Sequence, residues 1–383
     1  MKTPRRKKSH IKLRKTQKKG GTKKINCSPI VSNKTVNSST CYTPDILIKI
    51  KDAYNKSHSK SEYIPWSNPQ EIWRTLNKRL VNCEKEDCWL STIKDKTLEA
   101  QLKDIIFAPT HPPEWLNNPN EWLTDLDISN VMKQYEKTYR NFKFIGPSPI
   151  DFDTKVERRE LPWARPGNDN DRICVWEELC HLNLHKLLKR GITQIGMVFN
   201  LDRYDEPGSH WVSLYVSLAK QKKSRRRDGG NADGVNTDGE NTSMAIQWPG
   251  TTNTNKNIGG AQRSKRLTEG PFVFYFDSTG REAPVEIKTL IHRIQNQGRQ
   301  MAPRMNIKSY NNNGQDHQKS NTECGMYSLF FLITMLTGKM EDKELPTGEL
   351  ELSFNDKIVL FRDAIIPDKY VEIYRHKYFN RPE

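Results

Sequence analysis

Cys324, His210, Asp277 and Gln318 are the residues of this chain whose types, taken together, could break an acyl bond. Cys324-Gly325 sits where a polar run, His317-Gln318-Lys319-Ser320-Asn321-Thr322-Glu323, gives way to apolar residues that continue to Leu336, with Gly338 as a stop signal. That pattern predicts a loop feeding a buried helix with the cysteine at or near its first turn. There the free N–H groups and the partial positive charge favour thiolate over thiol. A thiolate nucleophile needs an imidazole within hydrogen-bond reach, and the imidazole needs a carboxylate on its other nitrogen. His210 begins one apolar run and Asp277 ends another. Acyl transfer further needs a donor aimed at the developing oxyanion, and the carboxamide of Gln318, on the loop before Cys324, can supply it.

Each of these residues also has an ordinary reading. Cys324 can be a small hydrophobe heading a core helix. His210 can be a strand-edge histidine, Asp277 a cap for the helix that follows it, and Gln318 a surface glutamine. Trp122, in Glu121-Trp122-Leu123-Thr124-Asp125, can be the hydrophobic staple of the next helix. The joint occurrence of His, Asp, Gln and Cys at element boundaries is far more specific than any member, and it is the set a cysteine protease requires.

The elements that must position them are legible in outline. Ile195–Asn200, His210–Leu218 and Pro271–Phe276 read as strands, and Met305–Tyr310 as a fourth. Helices are expected from Thr124 or Asp125 through Tyr135, over Cys174–Arg190, over Pro284–Gln297 and from Cys324 to Leu336, with a last helical region over Ile358–Phe379 broken near Ile366-Pro367. Phe142–Phe152 reads as a short extended segment broken by prolines, and 153–170 as a charged linker. Upstream, Ser67-Asn68-Pro69 starts one helix and a second pattern runs from Cys88 through Leu102.

At these residues the chain resembles the ubiquitin-like-protein-specific (SUMO) proteases and the related adenovirus protease. The resemblance rests on Gly208-Ser209-His210-Trp211, the strand into Asp277-Ser278, Gln318 with Cys324-Gly325, and Trp122-Leu123-Thr124-Asp125, where Thr replaces the family's Asn. Within that group, Phe144–Phe152 and Ile366–Phe379 look most like proteases of large cytoplasmic DNA viruses, such as the African swine fever virus enzyme. The resemblance implies an α+β (α/β cysteine-protease) fold, with a central mixed sheet of about four or five strands packed between helices. It also implies Cys324 as nucleophile, His210 as general base and acid, Asp277 as its orienter and Gln318 as oxyanion donor. Trp211 and Trp122 would wall a channel that admits only glycines before the scissile bond, since any Cβ would clash there. The implied function is an endopeptidase that cuts viral structural polyproteins after Gly-Gly during virion maturation, in the host cytoplasm and the virion, with no cofactor and no metal. A deconjugating isopeptidase for ubiquitin-like modifiers has the same chemistry. A third possibility, in the same structural clan, is an acyltransferase, against which Gln318 and the tryptophans argue. A basic nucleic-acid-binding virion protein with an inactive protease fold, and a nuclear location, are the alternatives of another class.

Bulk properties bound these readings. Only 34% of the residues are apolar and the mean hydropathy is −0.83, low for a wholly compact chain. The net charge is +16, and residues 1–25 hold twelve Lys and Arg and no acid, so the excess belongs to a tail. The expected organisation is a disordered basic tail over 1–45, a helical accessory region over 46–107, and a protease domain over 108–383 with a disordered insertion at about 220–270. The tail can make electrostatic contact with nucleic acid or an acidic partner. No apolar run reaches the length of a membrane span. Seven cysteines, an odd number, suggest a reducing compartment, and Cys83 and Cys88 have the spacing of half a zinc site without a second half. Cys180-His181 and His185 read as ordinary helix residues. Glycine pairs at Gly20-Gly21, Gly229-Gly230 and Gly259-Gly260 raise self-cleavage as a question.

Overall fold

The computed structural model of the protein describes residues 23–219, 269–342, 345 and 348–381. The expected insertion lies almost wholly outside these residues, as does the tail to residue 22. The described chain divides into two compact units, one holding residues 23–27 and 31–107, the other residues 28–30 and 108–381.

The first unit is built on α1 (Pro44–Ser57), α2 (Pro69–Arg79) and α3 (Lys96–Ile106). Asn68 caps α2 by accepting from the N–H groups of Gln70 and Glu71, with Pro69 at the first helical position where no N–H is needed. Asp95 caps α3 in the same way. The helix expected from Cys88 is instead a short 3₁₀ segment, Glu86–Thr92, and α3 begins only after the Asp95 cap. Tyr42, Leu47, Ile50, Ile72, Leu76, Trp89 and Ile106 form its core. Val31, Cys41 and Tyr42 are buried, so the expected tail is folded at its C-terminal end.

In the second unit α4 (Asp125–Thr138) starts at Thr124, whose hydroxyl and the Asp127 carboxylate form a reciprocal capping box. β1 (Phe142–Pro149) follows; it is an edge strand, which is where Pro147 and Pro149 can be tolerated. Next come β2 (Lys155–Glu157) and β3 (Arg172–Cys174), an antiparallel pair where a linker was expected. The single helix expected over Cys174–Arg190 is not formed: β3 ends at Cys174, and two short helices, α5 (Glu177–Cys180) and α6 (Leu184–Lys189), take its place. A Cys174–Cys180 disulfide closes the intervening turn, which a continuous helix could not accommodate. β4 (Gln194–Asn200), β5 (Trp211–Ser217) and β6 (Phe272–Phe276) then form the centre of the sheet, followed by α7 (Val285–Gln300) and β7 (Lys308–Asn311). The chain closes with α8 (Cys324–Thr337), the pair β8 (Lys339–Glu341) and β9 (Glu349–Glu351), α9 (Phe354–Arg362) and α10 (Asp368–Tyr378).

The five-stranded sheet has the order β1-β4-β5-β6-β7, parallel at its two outer pairings and antiparallel at the two inner ones. It is the mixed, helix-covered sheet expected. Every residue of β5 and β6 is buried, because both faces are covered. One face packs on α6 and α7 through Leu187, Ile287, Leu290 and Ile294. The other packs on α4, α8, α9 and α10. α8 is buried from Cys324 to Leu336, as an all-apolar helix must be. Burial of side chains such as Phe330 and Phe331 contributes about 2–3 kcal/mol each to holding it in place. Gly338 ends it in the left-handed conformation, φ 69°.

The expectation of a reducing compartment finds no support in the thiols. Cys27–Cys41, Cys83–Cys88 and Cys174–Cys180 are disulfides, and Cys324 is the free cysteine. Cys83 and Cys88 are thus spent on each other and are not half of a zinc site. Among the described residues no helix is long and apolar enough to cross a membrane.

Candidate active site

The site lies where the carboxyl end of β6, the start of β5 and the N-terminus of α8 meet. His210 directly precedes β5, and its carbonyl accepts from the Leu201 N–H at the end of β4. Asp277 directly follows β6, and it is fully buried. Because β5 and β6 pair antiparallel with Ser213 opposite Phe276, the start of one strand lies beside the end of the other. The pairing register therefore puts imidazole beside carboxylate. His210 Nε2 is 2.8 Å from Asp277 Oδ1. A carboxylate only accepts, so Nε2 carries the proton. The Cys324 thiol is close enough to the His210 ring to add to the rise in its pKa.

Burial works against a charged ring at His210, but the hydrogen bond to the Asp277 carboxylate, with the Cys324 thiol nearby, outweighs it and raises the pKa from 6.5 to about 9. Burial of Asp277 favours its neutral form, and His210 together with the Thr279 N–H and hydroxyl more than offsets this, holding the carboxyl below its ordinary range. Asn312, which carried no signal in the sequence, clamps the Asp277 backbone: its side chain accepts from the Asp277 N–H at 3.0 Å and donates to the Asp277 carbonyl at 2.6 Å.

Gln318 is buried, not a surface residue. Its Nε2 donates to the Ser320 carbonyl at 2.7 Å, and its Oε1 accepts from the Ser278 hydroxyl at 2.7 Å. Since the Ser320 carbonyl can only accept, the NH₂ end must face it, which sets the orientation of the carboxamide. The second N–H of that NH₂ group makes no further hydrogen bond among the described residues. Ser278, next to Asp277, also takes the His317 and Gln318 N–H groups on its carbonyl. The backbone N–H groups of the first turn of α8, beginning at Cys324, are a further set of donors without intrahelical partners.

The loop from Gln318 to Cys324 is held from α10. Asp368 accepts from the Lys319 and Ser320 N–H groups and from the Tyr327 hydroxyl. Glu323, immediately before the cysteine, is fully buried and paired with Arg375, with contacts of 2.8 to 3.1 Å. The same guanidinium donates to the Glu121 carbonyl at 2.9 Å and lies 4.4 Å from the centre of the Trp115 ring. Trp211 Nε1 donates to the Leu123 carbonyl at 2.9 Å. Trp122 is thus carried on a strap tied on both sides, at Glu121 by Arg375 and at Leu123 by Trp211. A Cβ on Gly325 would sit 3.0 Å from Leu123 Cβ and 3.3 Å from Trp211 Cδ1, tighter than ordinary packing, so this glycine lets the strap and the indole close on the head of α8.

Trp122 and Trp211 both line a cleft of about 630 Å³ beside these residues, together with Gly208, Trp163, Trp176 and Tyr204. Cys174, Cys180 and His181 bring their ligand atoms within 4.8 Å of one another, but both sulfurs are committed to a disulfide and so are not available to a metal. The arrangement as a whole can generate a thiolate, hold an imidazolium beside it and donate hydrogen bonds to an oxyanion.

No protein-family model matches the chain. Among curated proteins it is 26% identical, over 90% of its own length and 95% of the other's, to the protein named thiol protease R355 of Acanthamoeba polyphaga mimivirus. It is 21% identical to a cysteine protease of African swine fever virus, over 68% of this chain and 75% of that one. The crystal structure of the African swine fever virus protease superposes with a TM-score of 0.50 at 16% identity, covering 93% of this chain and 96% of that one, and so shares its fold. The expected likeness to viral cysteine proteases is therefore met by named proteins over most of the chain, and the protein is a cysteine protease similar to them.

Proposed function

We propose that the chain is an endopeptidase that cuts viral structural polyproteins after Gly-Gly, through Cys324, His210, Asp277 and Gln318. One observation carries this reading: the His210 imidazole is hydrogen-bonded to a buried carboxylate, and the chain's free thiol lies close enough to help raise its pKa. The Cys324 thiolate attacks the carbonyl carbon of the second glycine. Gln318 and the first N–H groups of α8 receive the oxyanion. His210, positioned by Asp277, gives its proton to the departing amine and then takes one from the water that hydrolyses the thioester. Trp122 and Trp211 wall the approach, so that two residues without Cβ pass where any side chain is refused, and specificity is steric.

The protease domain in this reading runs from residue 108 to 383 and residues 46–107 are an accessory region. The basic tail makes electrostatic contacts, and the protein works in the host cytoplasm and in the virion. The test is a set of peptides in which either glycine before the cut becomes alanine. Each replacement is expected to lower kcat/KM by at least about 100-fold, the scale of a misplaced reacting group. Comparable turnover of the Ala-Gly or Gly-Ala peptides sinks the channel reading.

A further inference from the structure

The cleft beside the site has a composition that the glycine channel alone does not use. It shares Trp122, Leu123, Gly208 and Trp211 with the channel, but Cys324, His210, Asp277 and Gln318 are absent from its lining. It therefore lies beside these four residues, along the strap that carries Trp122. If the two glycines thread between Trp122 and Trp211, which is the reading above, the residues preceding them must occupy this cleft.

Its far wall is aromatic. Trp163 and Trp176 stand with ring centroids 6.4 Å apart, and Trp163 is fixed by donating to the Val175 carbonyl at 3.1 Å while 47% of it stays exposed. Its charge is acidic. Glu114, Glu121, Asp125 and Glu206 line it, and among the described residues none of the four is in an ion pair. The lining cation, Arg203, lies 3.8 Å from Asp151 and 3.6 Å from Asp205, so its charge is already offset. A concave, negative, aromatic surface on a chain of net charge +16 selects cations, by focusing its field and by offering ring faces to ammonium or guanidinium groups.

The chain carries a matching segment. Of its three glycine pairs, all outside the described residues, Gly20-Gly21 follows Lys18-Lys19, Gly229-Gly230 follows Asp228, and Gly259-Gly260 follows Ile258. We propose that the cleft binds basic residues immediately before the substrate's glycine pair, and that Lys18-Lys19-Gly20-Gly21 of a second copy is such a substrate, cut between Gly21 and Thr22. In that step the Cys324 sulfur bonds to the Gly21 carbonyl carbon. The bond to the Thr22 nitrogen breaks, and the amine leaves with the His210 proton. Water then hydrolyses the thioester, returning a proton to His210 and a carboxylate to Gly21.

The experiment compares three peptides spanning residues 15–24, with Lys-Lys, Ala-Ala or Glu-Glu at positions 18 and 19. The expected order of kcat/KM is basic, neutral, acidic, with roughly tenfold or more between the extremes at low salt, narrowing at about 0.5 M salt. Equal cutting of all three overturns the charge reading and leaves the Gly-Gly reading standing; no cutting of any overturns both. The double variant Glu114→Gln with Glu206→Gln should shrink the basic-to-acidic ratio, and an unchanged ratio removes the cleft as its source. Finally, full-length Cys324→Ala protein mixed with wild type should yield a new N-terminus at Thr22. Its absence overturns the chain as its own substrate.

Discussion

His210 is held through Nε2 by Asp277 and has the Cys324 thiol close by, and its behaviour with pH follows from that. Its pKa is raised from 6.5 to about 9, so the imidazolium that protonates the leaving amine in the proposed mechanism persists well above neutrality. We expect kcat/KM to fall on the alkaline side with a midpoint near pH 9. The sign for stability is the same: a raised histidine pKa adds stability that is full below about pH 6.5 and is lost as the pH rises through 9. Asp277→Asn removes the carboxylate that accepts the Nε2 proton, so its alkaline limb should move toward 6.5 and its rate fall by about 10²–10⁴. A limb still at pH 9 in that variant would show that Asp277 does not set the ring's proton affinity. At this scale His210, Asp277, Gln318 and Cys324 stood out in the sequence because the catalysis proposed for them demands particular side-chain types at element ends. Asn312 was not, since an asparagine clamping a backbone resembles any loop asparagine.

At the scale of elements, α8 and α10 are joined by a pair that no local pattern announces. Glu323 and Arg375 are 52 positions apart, and both are almost wholly buried. Burial raises the Glu323 pKa despite the guanidinium beside it, so the carboxylate depends on that partner. Arg375→Leu leaves a buried carboxylate unpaired, and we expect it to lower unfolding free energy by about 3–5 kcal/mol in urea titrations. A loss under about 1 kcal/mol would mean that the pair does not hold the loop. The strands and α8 were readable because alternation and continuous apolarity follow directly from burial. The helix expected over Cys174–Arg190 was misread because its apolar spacing fits a helix, while the covalent turn between Cys174 and Cys180 is a tertiary constraint with no period. β2 and β3 were missed for a related reason: three-residue strands are too short to show alternation.

At the scale of the whole molecule, six of the seven cysteines pair within loops of 5 to 14 positions, and the remaining one is Cys324. Counting cysteines could not show this, because an odd total fits three disulfides plus a nucleophile as well as seven free thiols. Alkylation of the unreduced, denatured protein followed by mass measurement should therefore add one group, at Cys324, and reduction first should add seven. Several alkylated cysteines without reduction would contradict the pairing. The same division by charge, a basic tail on a chain with an acidic cleft, was half visible: the twelve Lys and Arg of residues 1–25 stand out in sequence, whereas Glu114, Asp125 and Glu206 converge only through folding.

Cys324 as the nucleophile of a peptidase is the claim on which the rest depends, and alkylation against turnover measures it most directly. Wild-type protein treated with increasing iodoacetamide should lose cleavage of a Gly-Gly-Xaa peptide in proportion to carboxamidomethylation of Cys324, reaching zero at one group per chain. Cys324→Ala should have no turnover above background. Residual cleavage by fully alkylated protein, or by Cys324→Ala, would contradict it.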